Sequence, residues 1–545
     1  MKKNVKCDPW LEKQPPPDFV DELRAPVHAD APIGFGRRAA SHGEVNVTGL
    51  WIDNRFHDPK GLLVSVIEDF DRFVCLCRFE GESFSVRLEE GPTPCFEAYT
   101  IRVSKAGVVV TAADTEGIRR ALIWMEDEMR RREGPYLPLG RIERRPFIRS
   151  RITRSIFAII NGMSLSGDVP QDDADYYPEE YLNRLMHDGI NGMWLHTCTK
   201  DNRQEEAARM DRLRGIIEKC ARYGIKVYVS GAEEDGVFVQ CPELGGMIGM
   251  TCKGISCTER EQACGYGLWE VENGSGMITT VPYMPVPGIL YKKYAAACQQ
   301  GVTGVLQCGY PSLMSKAAGE LAFEAAFDDE AGFLRRLAGI CWGNSRADAA
   351  VKAWQLFEKG YRQCPADGLF ADSGLLCEAP ARKLWLRPDS DTEESLMQGY
   401  TPEEALVPVG RMCTYWNAGL RALDALEIVD EARQEQWSVA HTIGLLLESG
   451  RNVLEFYRLR ELLVQGIKPE VTLDSMRIIA EAEIRSSRML AVLSVQDGRL
   501  GYIPGEGYRF FPEKLADRVV QLEELLKTEY VQVRARIEAG EPLFV

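Results

Sequence analysis

A change of hydrophobic period within residues 97–129 constrains the fold more than any other feature of this chain. Apolar residues alternate with polar ones from Tyr99 to Val103, and after a short turn a second apolar run begins at Val108. Such alternation is typical of a half-buried strand. From Asp114 onward the apolar residues recur at three- and four-residue spacing, which is typical of an amphipathic helix. The stretch therefore predicts a strand, a hairpin turn, a second strand and a helix.

This run closely resembles the small α/β domain that precedes the barrel in family 20 glycoside hydrolases (the β-N-acetylhexosaminidases) and in α-glucuronidases. The stretch 141–146 resembles the linker into that barrel. The resemblance implies a bacterial glycoside hydrolase of the α/β class with three parts: an N-terminal α/β sandwich domain, a (β/α)8-type TIM barrel, complete or reduced, and a C-terminal α-helical domain. We accordingly expect an arm over 1–24, the α/β domain over 25–145, the barrel over 146–345 and the helical domain over 346–545.

The pattern after Phe147 changes to alternating strands and helices, which predicts a parallel sheet or barrel. Strands are predicted at 149–155, 189–196, 224–230, 247–250, 277–281 and 302–307. A complete barrel typically needs about 250 residues, and 147–345 supplies fewer. Either the barrel is incomplete or the region 231–276 is unusually reduced.

Two further regions carry local predictions. Helices are predicted after Trp342, over 346–360, 402–427, 430–463 and 471–495, from apolar residues at helical spacing. Near the N-terminus, 62–67 and 73–77 are apolar segments. We predict that Cys75 and Cys77 lie two apart on a strand and point the same way into the core.

Composition narrows the possible partners and the compartment. A net charge of −16 argues against nucleic acid and against an anionic membrane as partners, since both favour a basic surface.

The sequence also predicts the compartment. No run of about 18 apolar residues is present, so no membrane-spanning helix is expected. No apolar run follows the N-terminal lysines, so no secretory signal is expected. Sixteen cysteines without a secretory signal predict reduced thiols and a cytoplasmic location. The spacing of the cysteines at 241, 252, 257 and 264 matches no zinc motif, and Gly-rich phosphate fingerprints are absent. The activity that the resemblance implies uses no metal or organic cofactor, so none is expected.

Hydrolysis of a glycosidic bond usually requires two carboxyl groups, one protonated and one ionised. In family 20 relatives an Asp-Glu pair follows the fourth strand, but here the fourth predicted strand runs into 251–254 and the next acid is Glu259. That pair therefore cannot be assigned to these positions. Glu272 is the preferred acid of this chain, with Glu270 or Glu234 as its partner. The alternatives are an exposed hairpin around 270–272 and a solvated acidic loop at 233–235.

Sugar pockets combine flat aromatic rings with a few polar groups, and in barrels such groups follow the strand ends. The candidate substrate-binding residues are Arg154, Trp194, His196, Trp269, Tyr283, Gln307, Tyr310, Asp497 and Arg499. The alternatives are a polar barrel rim, a structural histidine at 196, and a connector between helices at 497–499.

These observations lead to two functional hypotheses. The first is a glycosidase that cleaves an O-glycosidic bond of a hexosaminide- or uronide-like sugar by carboxylate acid/base catalysis. The second is a carbohydrate-binding pseudo-enzyme that kept the scaffold and lost the acids, which the missing pair and the compressed region 231–276 favour. The helical domain could in addition support a homo-oligomer.

Overall fold

The computed structural model describes residues 22–28, 34–35, 38–155, 160–161, 164–165, 175–197, 203–231, 236–241, 246–251, 268–271, 281–307, 310–324, 326–364, 375–388, 401–503 and 507–544. The chain divides into two compact units. The first consists of Met1–Glu22, Gly274–Val286 and Lys352–Val545, and the second of Leu23–Asn273 and Pro287–Val351. The second unit thus holds both the α/β elements and the barrel-like elements, and the boundary predicted between them at 145 stays a prediction.

The N-terminal part of the second unit is an α/β structure. Its elements are β1 Glu44–Asn46, β2 Leu50–Asn54, α1 Val64–Leu76, β3 Phe84–Glu90, β4 Tyr99–Ser104, β5 Gly107–Ala112, α2 Thr115–Arg131, β6 Tyr136–Pro138 and β7 Gly140–Arg144. Five strands form a sheet in the order β2–β3–β5–β4–β7, and β1 pairs separately with β6.

The predicted strand, hairpin, strand and helix are confirmed as β4, β5 and α2. The two strands are antiparallel neighbours. Asp114 caps α2 by accepting a hydrogen bond from the backbone N–H of Gly117 at 2.8 Å, which satisfies one of the free amides at the helix start. Ile118, Leu122 and Met125 are fully buried. The local pattern and the fold agree here because one face of each element is apolar.

The predicted strand at Cys75 and Cys77 is wrong. Cys75 lies within helix α1 and is exposed, whereas Cys77 follows the helix and is buried. The buried side chains of α1 recur at helical spacing: Val66, Phe70, Phe73 and Val74. The charged residues between the two apolar segments form the polar face of one continuous helix, so the segments are not separate strands.

The barrel-like part of the second unit alternates strands and helices. Its elements are β8 Ser150–Arg154, β9 Ile160–Asn161, β10 Ser164–Leu165, α3 Glu179–His187, β11 Gly192–Thr197, α4 Arg203–Arg222, β12 Lys226–Gly231, β13 Gly236–Cys241, β14 Gly246–Thr251, β15 Leu268–Val271, α5 Pro287–Gln299, β16 Gly304–Gln307, α6 Leu313–Leu321 and α7 Glu330–Trp342. Within the described residues one sheet runs in the order β14–β13–β12–β11–β8–β16–β15. The run from β12 to β15 is parallel throughout. This is a reduced form of the predicted barrel.

The predicted fourth strand does not continue the parallel series. It forms β14, which pairs antiparallel with the unpredicted strand β13, and β13 pairs antiparallel with β12. A hairpin therefore takes the place of a helix and a parallel strand, because an antiparallel return needs only a short connection. Of the strand predicted at 277–281, only Val281 lies among the described residues, and it lies outside the strands.

The first unit is mainly helical. Its elements are α8 Ala347–Tyr361 (from Lys352 onward), α9 Leu375–Glu378, α10 Pro402–Leu423, α11 Glu431–Val464, α12 Pro469–Gln496, the ribbon of β17 Tyr502–Ile503 and β18 Gly507–Tyr508, α13 Pro512–Lys527 and α14 Glu529–Ala539. The four predicted helices are confirmed as α8, α10, α11 and α12. Trp416 of α10 is buried, stacks on Phe357 of α8 with 4.4 Å between ring centroids, and donates from Nε1 to the carbonyl of Ala440 at 2.9 Å.

Among the described residues, the helices are too short or too polar to cross a lipid bilayer.

Candidate functional site

The candidate site is the edge of the sheet where the parallel strands end. Strands β15, β16, β8, β11 and β12 all run in one direction. Their last residues, at 271, 307, 154, 197 and 231, therefore meet at the same edge. Barrels and open parallel sheets place ligand sites at this carboxyl-terminal edge.

Arg154, Trp194 and Tyr228 lie side by side in one row of the sheet near this edge. Trp194 pairs with Arg154 on one side and with Tyr228 on the other. All three residues are half-buried. A guanidinium beside two aromatic rings can bind a carboxylate or hydroxyl groups and can stack on a sugar face. The structure thus brings the predicted residues Arg154 and Trp194 together and adds Tyr228, which was not predicted. Tyr228 alternates along the third predicted strand with its neighbours, on the same face as Lys226 and Ser230, and this pattern could have indicated it.

Gln307 lies on the other face of the sheet. It pairs with Thr153, and because successive strand residues point to opposite faces, both lie opposite Arg154. Gln307 is 2% exposed and donates from Nε2 to the hydroxyl of Tyr294 in α5 at 3.1 Å. Burial raises the pKa of Tyr294, so the hydroxyl is protonated. The Gln307 side chain therefore connects β16 to α5 and does not lie with Arg154 and Trp194.

Tyr310 comes three residues after β16 and is buried. Its backbone carbonyl accepts a hydrogen bond from the Ser315 hydroxyl at 3.4 Å, which connects the loop after β16 to the start of α6. The position beyond a strand end is the predicted one, and a contact with sugar stays a prediction.

Of the three predicted acids, only Glu270 lies among the residues that the structure describes. Glu234 and Glu272 lie outside the described residues. Residues 268–271 form β15, where Glu270 pairs with Leu306 and Trp269 with Val305. His196 pairs with Ser230 at the end of β11. The catalytic roles of the three glutamates stay a prediction.

Tyr283, Asp497 and Arg499 belong to the first unit. Tyr283 is buried. Asp497 is also buried and accepts hydrogen bonds from Arg499 Nε at 2.8 Å and from the Arg499 terminal nitrogen at 2.7 Å. Burial works against the charged carboxylate, but Arg499 lowers the pKa of Asp497 below its usual value. A mutually paired aspartate and arginine fit the helix connector, and contact with a substrate stays a prediction.

A buried ion-pair network that the sequence did not reveal anchors the strand carrying Arg154. The carboxylate of Glu97, just before β4, accepts hydrogen bonds from Arg151 of β8 at 2.6 and 2.7 Å. Arg120 of α2 donates to it at 3.3 Å and Asn191 at 3.2 Å. Burial opposes ionisation, yet Arg151 and Arg120 lower the pKa of Glu97, so it is charged. The α/β part thereby fixes β8 from the face opposite Arg154.

A small cavity of about 20 Å³ lies near the edge where the strands begin, between α2, α6 and the end of α3. Its charged groups are already paired: Lys316 Nζ is 2.6 Å from an Asp127 oxygen, and Arg144 is 3.2 Å from Glu320. Burial raises the pKa of Asp127 to about 6 against the opposing effect of Lys316. In barrels this edge contributes to stability, so the cavity is a weaker candidate than the carboxyl-terminal edge.

Comparisons with known proteins show the fold class. No protein-family model and no curated protein matches the sequence. The chain is similar in structure to a GH138 enzyme targeting pectin rhamnogalacturonan II, with a TM-score of 0.51 and 10% identity over 90% of this chain and 80% of that one. The structure has a glycoside hydrolase-like fold, as predicted.

Two other solved structures align with lower scores. A family GH115 4-O-methyl-α-glucuronidase with specificity for decorated arabinogalactans gives a TM-score of 0.48 at 11% identity, over 87% of this chain and 79% of that one. A β-N-acetylhexosaminidase from Bacteroides fragilis gives 0.26 at 15% identity, over 37% of this chain and 44% of that one. Scores this low add no further argument.

Proposed function

We propose that this chain is a glycosidase that hydrolyses an O-glycosidic bond at the carboxyl ends of its parallel strands. The observation that supports the proposal is the likeness to the GH138 enzyme over 90% of the chain. At 10% identity that likeness concerns the fold, so the chemistry is argued from this chain's own residues.

Glu272 is the proposed proton donor, because in the sequence it directly follows Val271, the last residue of β15, and that strand ends at the edge near which Arg154 and Trp194 lie. Its partner is Glu270 or Glu234. In the reaction, the protonated carboxyl gives its proton to the leaving oxygen as the glycosidic bond breaks. The second carboxylate either attacks the anomeric carbon or removes a proton from the water that attacks it. A separation of about 5–5.5 Å predicts the first course and about 6.5–9.5 Å the second.

Arg154 favours a uronide over a neutral sugar. A guanidinium binds a carboxylate through two parallel charge-assisted hydrogen bonds, which a hydroxyl cannot reproduce. The half-buried position of Arg154 beside Trp194 suits such a contact. The GH138 enzyme is described as targeting a pectin, which is compatible with an acidic glycan. We therefore place glucuronides and galacturonides ahead of N-acetylhexosaminides.

The test is turnover of aryl glucuronides, galacturonides and N-acetylhexosaminides in both anomeric forms. Glu272→Gln is expected to lower kcat by about 10²–10⁴-fold on substrates with poor leaving groups. The loss is expected to shrink on dinitrophenyl glycosides, whose leaving group needs no proton. Glu270→Gln and Glu234→Gln identify the partner, and Glu218→Gln, at an exposed position of α4, is the matched control. Turnover that is the same in all four variants would contradict the assignment.

The second candidate function is glycan binding without turnover. It is supported by the β13–β14 hairpin, which replaces a parallel strand unit, and by the absence of an acid directly after Thr251. Sugar-dependent thermal stabilisation that Arg154→Met abolishes, with no turnover of any aryl glycoside, would favour this function over hydrolysis.

A further inference from the structure

Four potential metal ligands meet inside the second unit, away from the carboxyl ends of the strands. They are His28, which precedes β1, Asp69 of α1, Glu126 of α2 and His187 at the end of α3, and we call them the His/acid cluster. One ligating atom from each lies within 4.8 Å of the other three. Their side chains are 0%, 12%, 3% and 8% exposed, in that order. No spacing in the sequence links them, so only the fold brings them together.

One ring nitrogen of His28, Nε2, lacks the hydrogen bond that a buried ring nitrogen usually has. His28 Nε2 lies 3.3 Å from Glu126 Oε2 and 3.4 Å from Asp69 Oδ2. Among the described residues, this buried nitrogen has no partner in hydrogen-bond geometry. An unsatisfied buried nitrogen costs free energy unless something else satisfies it. Bonds of about 2.0–2.2 Å to a tetrahedral Zn²⁺ would separate neighbouring ligand atoms by about 3.3–3.6 Å, a range that includes both distances.

The outer atoms of the two carboxylates are held by donors, as metal ligands usually are. Asn183 Nδ2 donates to Asp69 Oδ1 at 2.7 Å, and Arg130 Nε donates to Glu126 Oε1 at 2.8 Å. Each carboxylate therefore keeps its second oxygen for the cluster. His187 Nε2 lies 2.7 Å from Asp69 Oδ2, a hydrogen bond that would open by about 0.6 Å to admit an ion of the size given above.

The contact at the other ring nitrogen of His28, Nδ1, determines which of the two nitrogens carries the ring proton. Arg130 lies 3.1 Å from His28 Nδ1, and since a guanidinium can only donate, Nδ1 must accept. The ring proton then sits on Nε2, facing the two carboxylates. Metal binding replaces that proton, which leaves to solvent, and Nδ1 keeps its bond to Arg130.

We propose that the His/acid cluster binds one divalent transition-metal ion, Zn²⁺ being the best match to two imidazoles and two carboxylates. Four protein ligands leave no open position, so the ion is structural and fastens α1, α2 and α3 to the segment before β1. The proposal is independent of the proposed glycosidase activity.

The competing possibility is the same cluster with a proton in place of the ion. Burial by itself would lower the pKa of His28, but Glu126 and Asp69 raise it to about 9. An imidazolium would, however, point an Nδ1 proton at the Arg130 guanidinium, so the contact with Arg130 disfavours the doubly protonated ring.

The test measures metal content and thermal unfolding of the full chain. After expression with added Zn²⁺ and gel filtration, we expect about one equivalent of zinc by mass spectrometry, and EDTA is expected to lower Tm by about 5 °C. His28→Gln and His187→Gln should lose the zinc and the EDTA effect, whereas His57→Gln, at an exposed position, should retain both. Zinc bound equally by all variants, or no zinc and no EDTA effect in the unaltered chain, would overturn the proposal.

A measurement on the unaltered protein covers the case in which the histidine variants do not fold. Replacing zinc with Co²⁺ is expected to give the intense visible absorption of a four-coordinate site without the thiolate charge-transfer band of cysteine ligands. A weak octahedral spectrum, or a thiolate band, would contradict the donor set. Activity on aryl glycosides plays no part in this test, so either proposal can fail without the other.

Discussion

Replacing Glu97 by alanine offers the most direct test of how the α/β part supports the barrel-like sheet. The substitution removes the carboxylate that accepts from Arg151, Arg120 and Asn191 at 2.6–3.3 Å. Breaking a buried ion pair by removing one partner typically costs about 3–5 kcal/mol. Both arginines keep bonds to backbone carbonyls, for instance Arg151 to Gly189 at 2.6 Å. We therefore expect Glu97→Ala to lower the free energy of unfolding by about 3 kcal/mol, near the lower end of this range.

The backbone at Glu97 allows a second, finer comparison. Its φ of +63° lies in the left-handed region, which costs a residue with a Cβ about 1–2 kcal/mol and glycine almost nothing. Glycine, however, loses more conformational entropy on folding. We therefore expect Glu97→Gly to be more stable to unfolding than Glu97→Ala by about 0.5–1 kcal/mol. Both variants lack the carboxylate, so their difference isolates the backbone contribution.

Urea unfolding followed by far-UV circular dichroism measures both effects. With a slope of about 3 kcal/mol per molar urea, a loss of about 3 kcal/mol moves the midpoint of the transition that reports the second unit by about 1 M. Glu143→Ala, at a side chain 61% exposed in its ion pair with Arg141, is the control and should stay within about 0.5 kcal/mol. A shift below about 0.3 M for Glu97→Ala would refute the reasoning. Because the folded pKa of Glu97 is lowered, its contribution is present above about pH 4.3 and should fade as the pH falls further.

Two further predictions concern a close backbone approach and a titrating carboxyl group. A Cβ on Gly319 would lie 2.1 Å from the carbonyl oxygen of Asp188. Gly319→Ala should therefore lower stability by about 1–3 kcal/mol in calorimetry, whereas Gly215→Ala, with open space around it, should be neutral or stabilising. Burial and the neighbouring Asp497 raise the pKa of Glu22 to about 7. The ionised carboxylate of Glu22 therefore destabilises the folded state fully above about pH 7, and this effect disappears below about pH 4.5, where the group is protonated in both the folded and the unfolded state. Glu22→Gln should accordingly raise the Tm of the first unit at pH 8 and leave it unchanged at pH 4.5, and equal effects at both pH values would contradict the assignment.

The fold was predictable where each element carries its own signal. β4, β5 and α2 each have an apolar face of the right period, and Asp114 provides a helix cap. The strand β13 was missed because its pairing with β14 is a non-local property that a short apolar run does not specify. Helix α1 was misread because its polar face interrupts the apolar residues and made one element resemble two.

The candidate site was predictable only in part, for a geometric reason. Arg154 and Trp194 were each predicted to bind substrate because they lie on strands of the predicted parallel sheet, and they are neighbours. Gln307 also ends a strand, but it faces Tyr294 because a single step along a strand reverses the side-chain direction. The members of the His/acid cluster come from four segments with no motif between them, so their meeting is a tertiary property.

The ion pair that joins β8 to the α/β part has a practical consequence for the design of shorter fragments of this protein. A fragment starting near residue 146 would retain Arg151 but lose the carboxylate that neutralises it, together with two of the helices that enclose His187. Such a truncated fragment would contain an uncompensated cation near the start of β8, the strand that carries Arg154. Expression designs that seek the barrel by itself should therefore give insoluble material, and a shorter product should keep the α/β elements that share a compact unit with β8.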